Sequence, residues 1–547
     1  MAFKDLRAFL KKLEEEGELT RITTPVDPHL EISEITNRIS KGDLTQNKAL
    51  LFEKPCGYQI PVLINTLGSY KRMNLALGVN SFKEIANRIE KFLDKKVPDS
   101  LLGKLSMLPK LAELASFPPK IVHSAPCQEV VITDPSEPML DKLPIITAWP
   151  QDAAPFITMT VVVTKDPNTG IRNVGMYRLQ KINNNTTCMH WHKHHDGAQN
   201  YIEMAMGRRD EGENLEQRLR AQRTEELAEQ VERTSDLEHY DSNKVKSSVE
   251  LLEKNSRDTV AQGHSSTEAH HKMEVAVAIG CDPAVMYAAS APLPPEVDEF
   301  LFSGFLRSSP VELVRCKTVD LEVPATSEIV LEGYVDLDEL TVEGPFGDHT
   351  GFYSTASMFP KFHITCMTHK TNPIYTTIIV GKPPIEDSYM GKATEQIFLP
   401  LIKIFLPEIV DLNLPLEGAF HNCAIVSIKK KYPYHARKIM NAIWGIGQLM
   451  FTKYVLVVDD DVDVHNIPEV AFRVFANTDP KRDALFTEGP TDILDHGATI
   501  MGISGKVGID GTRKWKSEGY TREWPSEMVM DEATKELVSK RWKEYRL

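Results

Sequence analysis

The run SEIVLEGYV, residues 327–335, is the stretch that decides the fold. Isoleucine, valine, leucine and tyrosine dominate it, and β-branched and aromatic residues favour strands. Similar short runs, separated by turns rich in Gly, Pro, Asn and Asp, lie between residues 129 and 381: EVVI, ITMTVVVT, VAVAIG, VELVRC, KFHITCMTH and IYTTIIVG. Many short strands with such turns predict a β-barrel or a β-sandwich in the middle of the chain.

Both flanks of this β-rich middle mix helices with strands. The opening MAFKDLRAFLKKLEEEGEL spaces its apolar residues at helical period, and two strand-like runs follow it. After about residue 386, helical and strand-like runs alternate, which favours a parallel α/β layer, and the chain closes on a predicted terminal helix. We therefore expect a mixed α+β protein with an α/β domain at 1–120, a central β domain at 121–384 and a C-terminal α/β domain at 385–547.

Composition narrows the class of partner. The chain has 547 residues, a formal charge of −14 and an isoelectric point near 5.7, so a nucleic-acid backbone is disfavoured and a small molecule is favoured. Seven cysteines are scattered without any CxxC pair, which suits a reducing cytoplasm. The sequence contains no run of about 18 apolar residues, so no membrane span is predicted. Peripheral contact with the inner membrane stays open.

One segment, residues 207–271, differs from its surroundings. It is polar and strongly charged, and a thin stripe of apolar residues at four-residue spacing predicts helix only in its first half. Such composition is typical of a solvated excursion. We interpret it as an insertion without chemistry of its own.

A cluster of histidines lies just before this segment, in CMHWHKHHDG, residues 188–197. In an extended chain His190, His192 and His194 lie on one face, where imidazoles can bind a metal or a phosphate. An exposed histidine-rich edge is an equal alternative. A zinc site built from this run alone is disfavoured, because ligands so close along a strand cannot converge on one tetrahedral ion.

Two carboxylates flank a turn in VEGPFGDHTGFY, residues 342–353. The glycines and the proline of this turn let Glu343 and Asp348 approach one another. Neighbouring carboxylates cannot both ionise cheaply, so the pKa of one is expected to rise towards neutrality and to make it a proton donor. Without further context, an acidic surface turn is the better interpretation. Arg178, at the end of NVGMYR, would likewise be a surface arginine unless a partner gives it a role.

These stretches occur together and in order, and the chain resembles the UbiD family of decarboxylases that use prenylated flavin mononucleotide (FMN). The resemblance also rests on LINTLGSYKRMNLALG, LEVPATSEIVLEGY, FTKYVLVVDDDVD and SGKVGIDGTRKW, and it covers nearly the whole chain apart from the insertion. It implies a central split β-barrel that binds the flavin and a C-terminal α/β unit that closes over the site. It is closest to the branch that decarboxylates 4-hydroxy-3-polyprenylbenzoate in ubiquinone synthesis, and to menaquinone-associated relatives.

The resemblance also assigns roles to residues. Arg178, Glu343 and Asp348 would be the catalytic trio, with Asp348 the favoured proton donor, although the choice between the two acids stays a hypothesis. The flavin phosphate would be held through Mn²⁺ or Mg²⁺, with K⁺ beside it. The metal ligands would be Asn173, Glu299 and one of two histidines, His194 or His195. The cofactor would contact Asn173, Met176, Tyr177, Arg178, His190, Trp191, His192, His195 and Asp196.

The expected activity is therefore the non-oxidative decarboxylation of an aromatic acid, with a flavin prenyltransferase as the supplier of the cofactor. Family members are commonly dimers or hexamers, so a homo-oligomer is expected by analogy. A menaquinone-pathway or phenolic-acid decarboxylase is the alternative within the family. A flavin-binding module without catalysis and a metal hydrolase built on the histidines are alternatives from other classes.

Overall fold

The computed structural model describes residues 3–43, 45–93, 117–191, 201–202, 204, 272–293 and 297–546. The predicted insertion at 207–271 therefore lies outside the described residues. The strand that follows it begins at Lys272 and is described. So do four of the predicted site residues: His192, His194, His195 and Asp196. Within the described residues the fold is mixed α+β, as predicted.

The first sheet has four strands in the order β1–β2–β3–β16. They are β1 Leu19–Ile22, β2 Ala49–Phe52, β3 Val62–Ile64 and β16 Tyr375–Thr376. Among the described residues of the same part of the chain there are four helices: Leu6–Glu15, Glu31–Lys41, Tyr70–Ala76 and Phe82–Leu93. The opening helix forms as predicted, because Asp5 caps it and its apolar positions all face the core.

The central sheet of the described residues has nine strands. Eight form the path β6–β9–β10–β15–β14–β11–β7–β8, and β5 pairs with β15. The strands are β5 Val130–Ile132, β6 Phe156–Ile157, β7 Thr160–Lys165, β8 Arg172–Gly175, β9 Leu179–Lys181, β10 Thr186–Met189, β11 Lys272–Ile279, β14 Ile329–Glu343 and β15 Ser357–His369. Among these strands, β6 and β8 end the path and do not pair with each other, so the sheet is not closed into the expected barrel.

Both faces of this sheet are buried. Along β11, Val275 and Val277 belong to one hydrophobic cluster, whereas Ala276 and Ala278 belong to another on the opposite face. The alternation follows from the two-residue period of a strand. Helices Pro283–Ala288 and Glu299–Arg307 pack on the second of these faces. The strands of this sheet are thus packed on both faces.

Three more strands make a small sheet in the order β13–β12–β4: β4 Lys120–Val122, β12 Glu312–Arg315 and β13 Glu322–Pro324. The last sheet has the order β17–β18–β19–β21–β20, with β18, β19 and β21 parallel. Its strands are β17 Ile409–Asn413, β18 Cys423–Ile428, β19 Tyr454–Asp459, β20 Ala484–Pro490 and β21 Ile503–Asp510. The predicted parallel α/β layer is therefore present, with antiparallel strands at both edges.

The helices of this last part are Glu386–Phe405, His435–Ile443, Ile467–Asn477, Pro480–Asp483 and the terminal Glu532–Arg541. The predicted boundaries at 120 and 384 remain predictions. β16 belongs to the first sheet although its residues lie within 121–384. In the described part of the chain, every helix is too short or too polar to cross a bilayer.

Candidate active site

A buried ion-pair cluster forms around Arg178, which lies between β8 and β9. Its Nε lies 2.7 Å from Oε1 of Glu343 and its Nη2 lies 3.2 Å from Oε2 of the same residue, a two-pronged pairing. Its Nη1 also donates to Oδ2 of Asp348. The guanidinium stacks on Phe346, with 4.3 Å between Cζ and the ring centroid. The predicted catalytic trio thus meets at one point.

Glu343 and Asp348 reach that point from different kinds of backbone. Glu343 is the last residue of β14, whereas Asp348 lies in the loop that follows. The loop packs tightly, since a Cβ atom on Gly347 would lie 2.2 Å from Cδ1 of Trp149. The Gly347 N–H donates to Oδ1 of Asp152 at 2.8 Å. Only glycine leaves room for this approach, which explains the glycine in the motif.

The protonation of the two acids differs from the prediction. Burial alone would raise the pKa of Glu343, but Arg178 and His190 outweigh burial and lower it to about 2. Burial would likewise raise the pKa of Asp348, yet Arg178 and His349 hold it well below its usual range. The expectation that one carboxylate has a raised pKa is therefore wrong for this state, because the guanidinium bonds to both acids. Both are ionised at neutral pH.

His190 completes the cluster on the side of Glu343. Its Nδ1 lies 3.1 Å from Oε2 of Glu343, and its ring lies on Phe359 with 4.2 Å between centroids. Burial and the nearby Arg178 lower the pKa of His190, so the ring is neutral. Because a carboxylate can only accept, the hydrogen lies on Nδ1.

A second group of predicted residues gathers around β8. The Val174 N–H donates to Oε2 of Glu299 at 3.1 Å, which brings this carboxylate beside Asn173. Among the described residues, the buried Nδ2 of Asn173 has no hydrogen-bond partner. A buried unpaired donor is costly, and an anionic oxygen such as that of a phosphate would satisfy it. An amide and a carboxylate are also ligands that suit Mn²⁺ or Mg²⁺.

The remaining described candidates line the same region. The Met176 N–H donates to the Ala289 carbonyl, and Tyr177 is buried with its N–H donating to Oγ1 of Thr160. The indole of Trp191 is 4% exposed, and its Nε1 has no partner among the described residues. The site therefore holds Asn173 and Glu299 in one group, and Arg178, His190, Glu343 and Asp348 in another.

Several functional candidates were not predicted. His349 follows Asp348 in the chain, and its Nδ1 lies 2.8 Å from Oδ1 of that aspartate. His421, which precedes β18, and Asp492, which follows β20, both approach His349. Asp387 lies near it as well, and burial raises the pKa of that aspartate to about 7. The position of His349 beside Asp348 was a usable signal, but nothing local marked the other three residues.

Three family models match the chain, and all three describe 3-octaprenyl-4-hydroxybenzoate carboxy-lyase (UbiD). The N-terminal domain matches residues 10–89, the Rift-related domain matches 120–217 and 243–383, and the C-terminal domain matches 388–511. An uncharacterised protein of Archaeoglobus fulgidus is 47% identical over 547 residues, which is 100% of this chain and 99% of the relative. A protein of Aquifex aeolicus, also uncharacterised, is 44% identical over 541 residues, or 99% of this chain and 98% of the relative.

Solved structures with the same fold are enzymes. The vanillic acid decarboxylase of Sedimentibacter hydroxybenzoicus in its closed form has a TM-score of 0.76 at 26% identity, with 100% of both chains covered. The UbiD-class enzyme HmfF of Pelotomaculum thermopropionicum, solved in complex with FMN, has a TM-score of 0.68 at 27% identity. That match covers 96% of this chain and 97% of the other.

Proposed function

The chain belongs to the UbiD family of carboxy-lyases, and on that premise we propose that it decarboxylates an aromatic acid with prenylated FMN as cofactor. The observation that carries this proposal is the buried Arg178, whose guanidinium pairs with both Glu343 and Asp348. A binding module without catalysis has no need of a buried cation shared by two acids. The proposal also agrees with FMN and prenylated FMN in the solved complexes of HmfF.

Asn173 and Glu299 would hold the flavin phosphate through Mn²⁺ or Mg²⁺, and His194 or His195 would complete the set. The unpaired amide donor of Asn173 and the carboxylate beside it support this assignment. When bound, prenylated FMN supplies an electron sink for the pair that the breaking carbon–carbon bond releases. The metal, and K⁺ beside it, are part of the proposal.

The chain's own residues supply orientation and a proton. As CO₂ leaves, the carbon–carbon bond to the carboxylate breaks, and a hydrogen must replace the carboxylate on the same carbon. Arg178 fixes Glu343 and Asp348 relative to the sheet, and its charge offsets one of theirs. Of the two acids we choose Asp348 as the proton donor, because it lies on the loop after β14, whereas Glu343 is the last residue of that strand. It can act only after it has itself gained a proton, since Arg178 and His349 keep it ionised.

For the substrate we propose 4-hydroxy-3-polyprenylbenzoate, in agreement with the description of the matching family models. A phenolic acid without a tail is the second candidate, favoured by the end-to-end match to a vanillic acid decarboxylase. A menaquinone-pathway acid is the third. We also propose a homo-oligomer, since one neighbour is described as an evolved dimeric form of a UbiD-class enzyme.

The test is to produce the chain together with a flavin prenyltransferase and to record its absorbance spectrum. The loaded protein is then incubated with a short-prenyl 4-hydroxybenzoate, a dihydroxynaphthoate and vanillate, and CO₂ and the decarboxylated product are measured. Turnover of one acid supports the proposal and ranks the candidates. A protein that takes up prenylated FMN but releases CO₂ from none of these acids contradicts it.

Asp348→Asn is the matched variant for the donor. The amide keeps the shape of the side chain but cannot supply the proton, so we expect turnover to fall by about 10²- to 10⁴-fold. The flavin spectrum should be unchanged, because the Asn173 and Glu299 group is separate from the loop. Turnover equal to that of the wild type would remove Asp348 from the donor role.

A further inference from the structure

His349 joins the buried acid cluster to the last sheet. Its backbone N–H and its Nδ1 both lie within hydrogen-bond distance of Oδ1 of Asp348, at 2.7 and 2.8 Å. Since an ionised carboxylate only accepts, Nδ1 carries a hydrogen. The side chain of His349 is 18% exposed, against 7% for Asp348. The ring therefore lies between the acid and the solvent.

The other nitrogen of the ring faces a second imidazole. Nε2 of His349 lies 2.7 Å from Nε2 of His421, so one hydrogen must lie between them. If His349 supplies it, His349 carries a hydrogen on both ring nitrogens and is a cation; if His421 supplies it, His349 is a neutral imidazole.

The surroundings of the two rings decide where the charge lies. The charged groups that face His349 are Asp348, Asp387 and Asp492, all of them acids. Those that face His421 are two acids, Asp492 and Asp495, together with Lys453 and His349. Lys453 is a cation, and His349 can become one. Burial would lower the pKa of His349, but Asp348 outweighs burial and raises it to about 9, whereas burial and His349 lower that of His421. The imidazolium is His349.

We propose, on the premise of the decarboxylase function above, that His349 is the proton reservoir of the active site and acts through Asp348. In each turnover the Nδ1–H bond of His349 breaks and an O–H bond forms on Oδ1 of Asp348. The imidazolium becomes neutral imidazole and the carboxylate becomes a carboxylic acid. That O–H bond then breaks as the C–H bond forms on the substrate carbon, and the ring recovers one proton from water.

The same step explains how an acid held ionised can still donate. Arg178 cannot give up its proton near neutral pH, Glu343 is ionised and His190 is neutral. Of the described groups that hydrogen-bond to this acid cluster, His349 alone is a cation that titrates in an accessible range. His421 is then a positioning residue, because its Nε2 accepts from His349 and keeps Nδ1 pointed at Asp348.

The kinetic test is His349→Asn in the loaded protein. Asparagine can place an N–H near Oδ1 of Asp348 but cannot lose a proton, so kcat should fall by about 10²-fold while KM stays unchanged. Added imidazole should restore part of the rate, and the alkaline limb of the kcat profile near pH 9 should disappear. The control is His363→Asn, which removes another histidine paired with an acid, Glu339 at 2.7 Å, and should leave kcat unchanged.

A kcat within about twofold of the wild type, or a loss that imidazole does not repair and that leaves the pH profile unchanged, overturns the proposal. Failure of the proposed function looks different, because the wild type itself would then release no CO₂. A second measurement needs no turnover. The pH dependence of hydrogen exchange at the histidine C2 positions, read by mass spectrometry on the flavin-free protein, reports each imidazole separately.

We expect His349 to titrate near pH 9 in the wild type and near its ordinary value in Asp348→Asn. Titration of wild-type His349 at or below pH 6.5 overturns the proposal. So does one equivalent of a divalent metal ion that survives dialysis and is lost in His421→Asn. In that case His349, His421 and Asp492, whose ligand atoms lie within 4.8 Å of one another, hold an ion and not a proton.

Discussion

Two pairs of buried acids in this protein behave in opposite ways. Glu343 and Asp348 both have a lowered pKa, whereas Glu386 and Asp387, at the start of helix Glu386–Phe405, both have a raised one. Burial raises the pKa in all four cases. The difference is a hydrogen-bonded cation: Arg178 bonds to both members of the first pair, while Glu386 accepts from the Leu67 N–H and from Thr66.

The closeness of two acids along the chain therefore does not decide their protonation. For a pair five positions apart, the pKa of one acid was expected to rise towards neutrality. A guanidinium between the two acids instead stabilises both charges, as a nearby opposite charge does in general. Where only neutral donors reach the buried carboxylates, burial is the larger effect.

Removing the guanidinium of Arg178 should abolish the difference between the two acid pairs, and it is the change from which we expect the largest effect. Arg178→Met should make the first pair resemble the second, with raised pKa values for Glu343 and Asp348. Loss of a buried partner typically costs about 3–5 kcal/mol of stability. We expect decarboxylation to be lost and the melting temperature to fall. Arg178→Lys keeps the charge without the fork and should keep part of the stability; equal stability of both variants and the wild type would contradict the ion-pair account.

Acid titration of Glu343 is the next test. Its folded pKa of about 2 lies below the ordinary 4.5, so its stabilising contribution is complete above pH 4.5 and is lost as the pH falls through 2. The shift corresponds to about 3 kcal/mol, at about 1.4 kcal/mol per pKa unit. Glu343→Gln should therefore flatten the decline of melting temperature between pH 4.5 and 2. Parallel wild-type and variant curves over this range would show that Arg178 does not hold the charge.

At Asp387 the sign of the pH dependence is reversed. Its folded pKa of about 7 lies above the ordinary 3.8, so the folded protein binds this proton more tightly and loses stability as the pH rises from about 4 to 7. Asp387→Asn should remove that loss, worth about 4 kcal/mol at pH 8. Melting temperatures at pH 5 and 8 measure it. A variant less stable than the wild type at pH 8 would mean that Asp387 is charged and paired.

Much of the fold could be predicted from the sequence. The opening helix follows from the helical spacing of its apolar residues, and β2, β18 and β19 follow from short continuous apolar runs. The helix His435–Ile443 ends just before Gly445 and the left-handed Gly447. The open path of the central sheet depends on pairing between distant strands, which no single run encodes.

The site divides in the same way. Arg178, Glu343 and Asp348 were found through the family motif, and the structure brings them together. Their protonation was not predicted, because it depends on the position of the Arg178 guanidinium, which lies between β8 and β9, far from both acids along the chain. His421 is 72 residues from His349 along the chain, so its contact appears only in the fold.

The loop after β14 has a mechanical consequence. On one side it is wedged against Trp149 of the central part. On the other side its His349 contacts His421, and its Phe352 ring lies 3.8 Å from that of His496, both in the last part of the chain. A displacement of the last part relative to the central part would therefore disturb the contacts of this loop on one of its two sides. Asp348, which lies in the loop, would shift with such a displacement. Glu343, the last residue of β14, would keep its place in the central sheet.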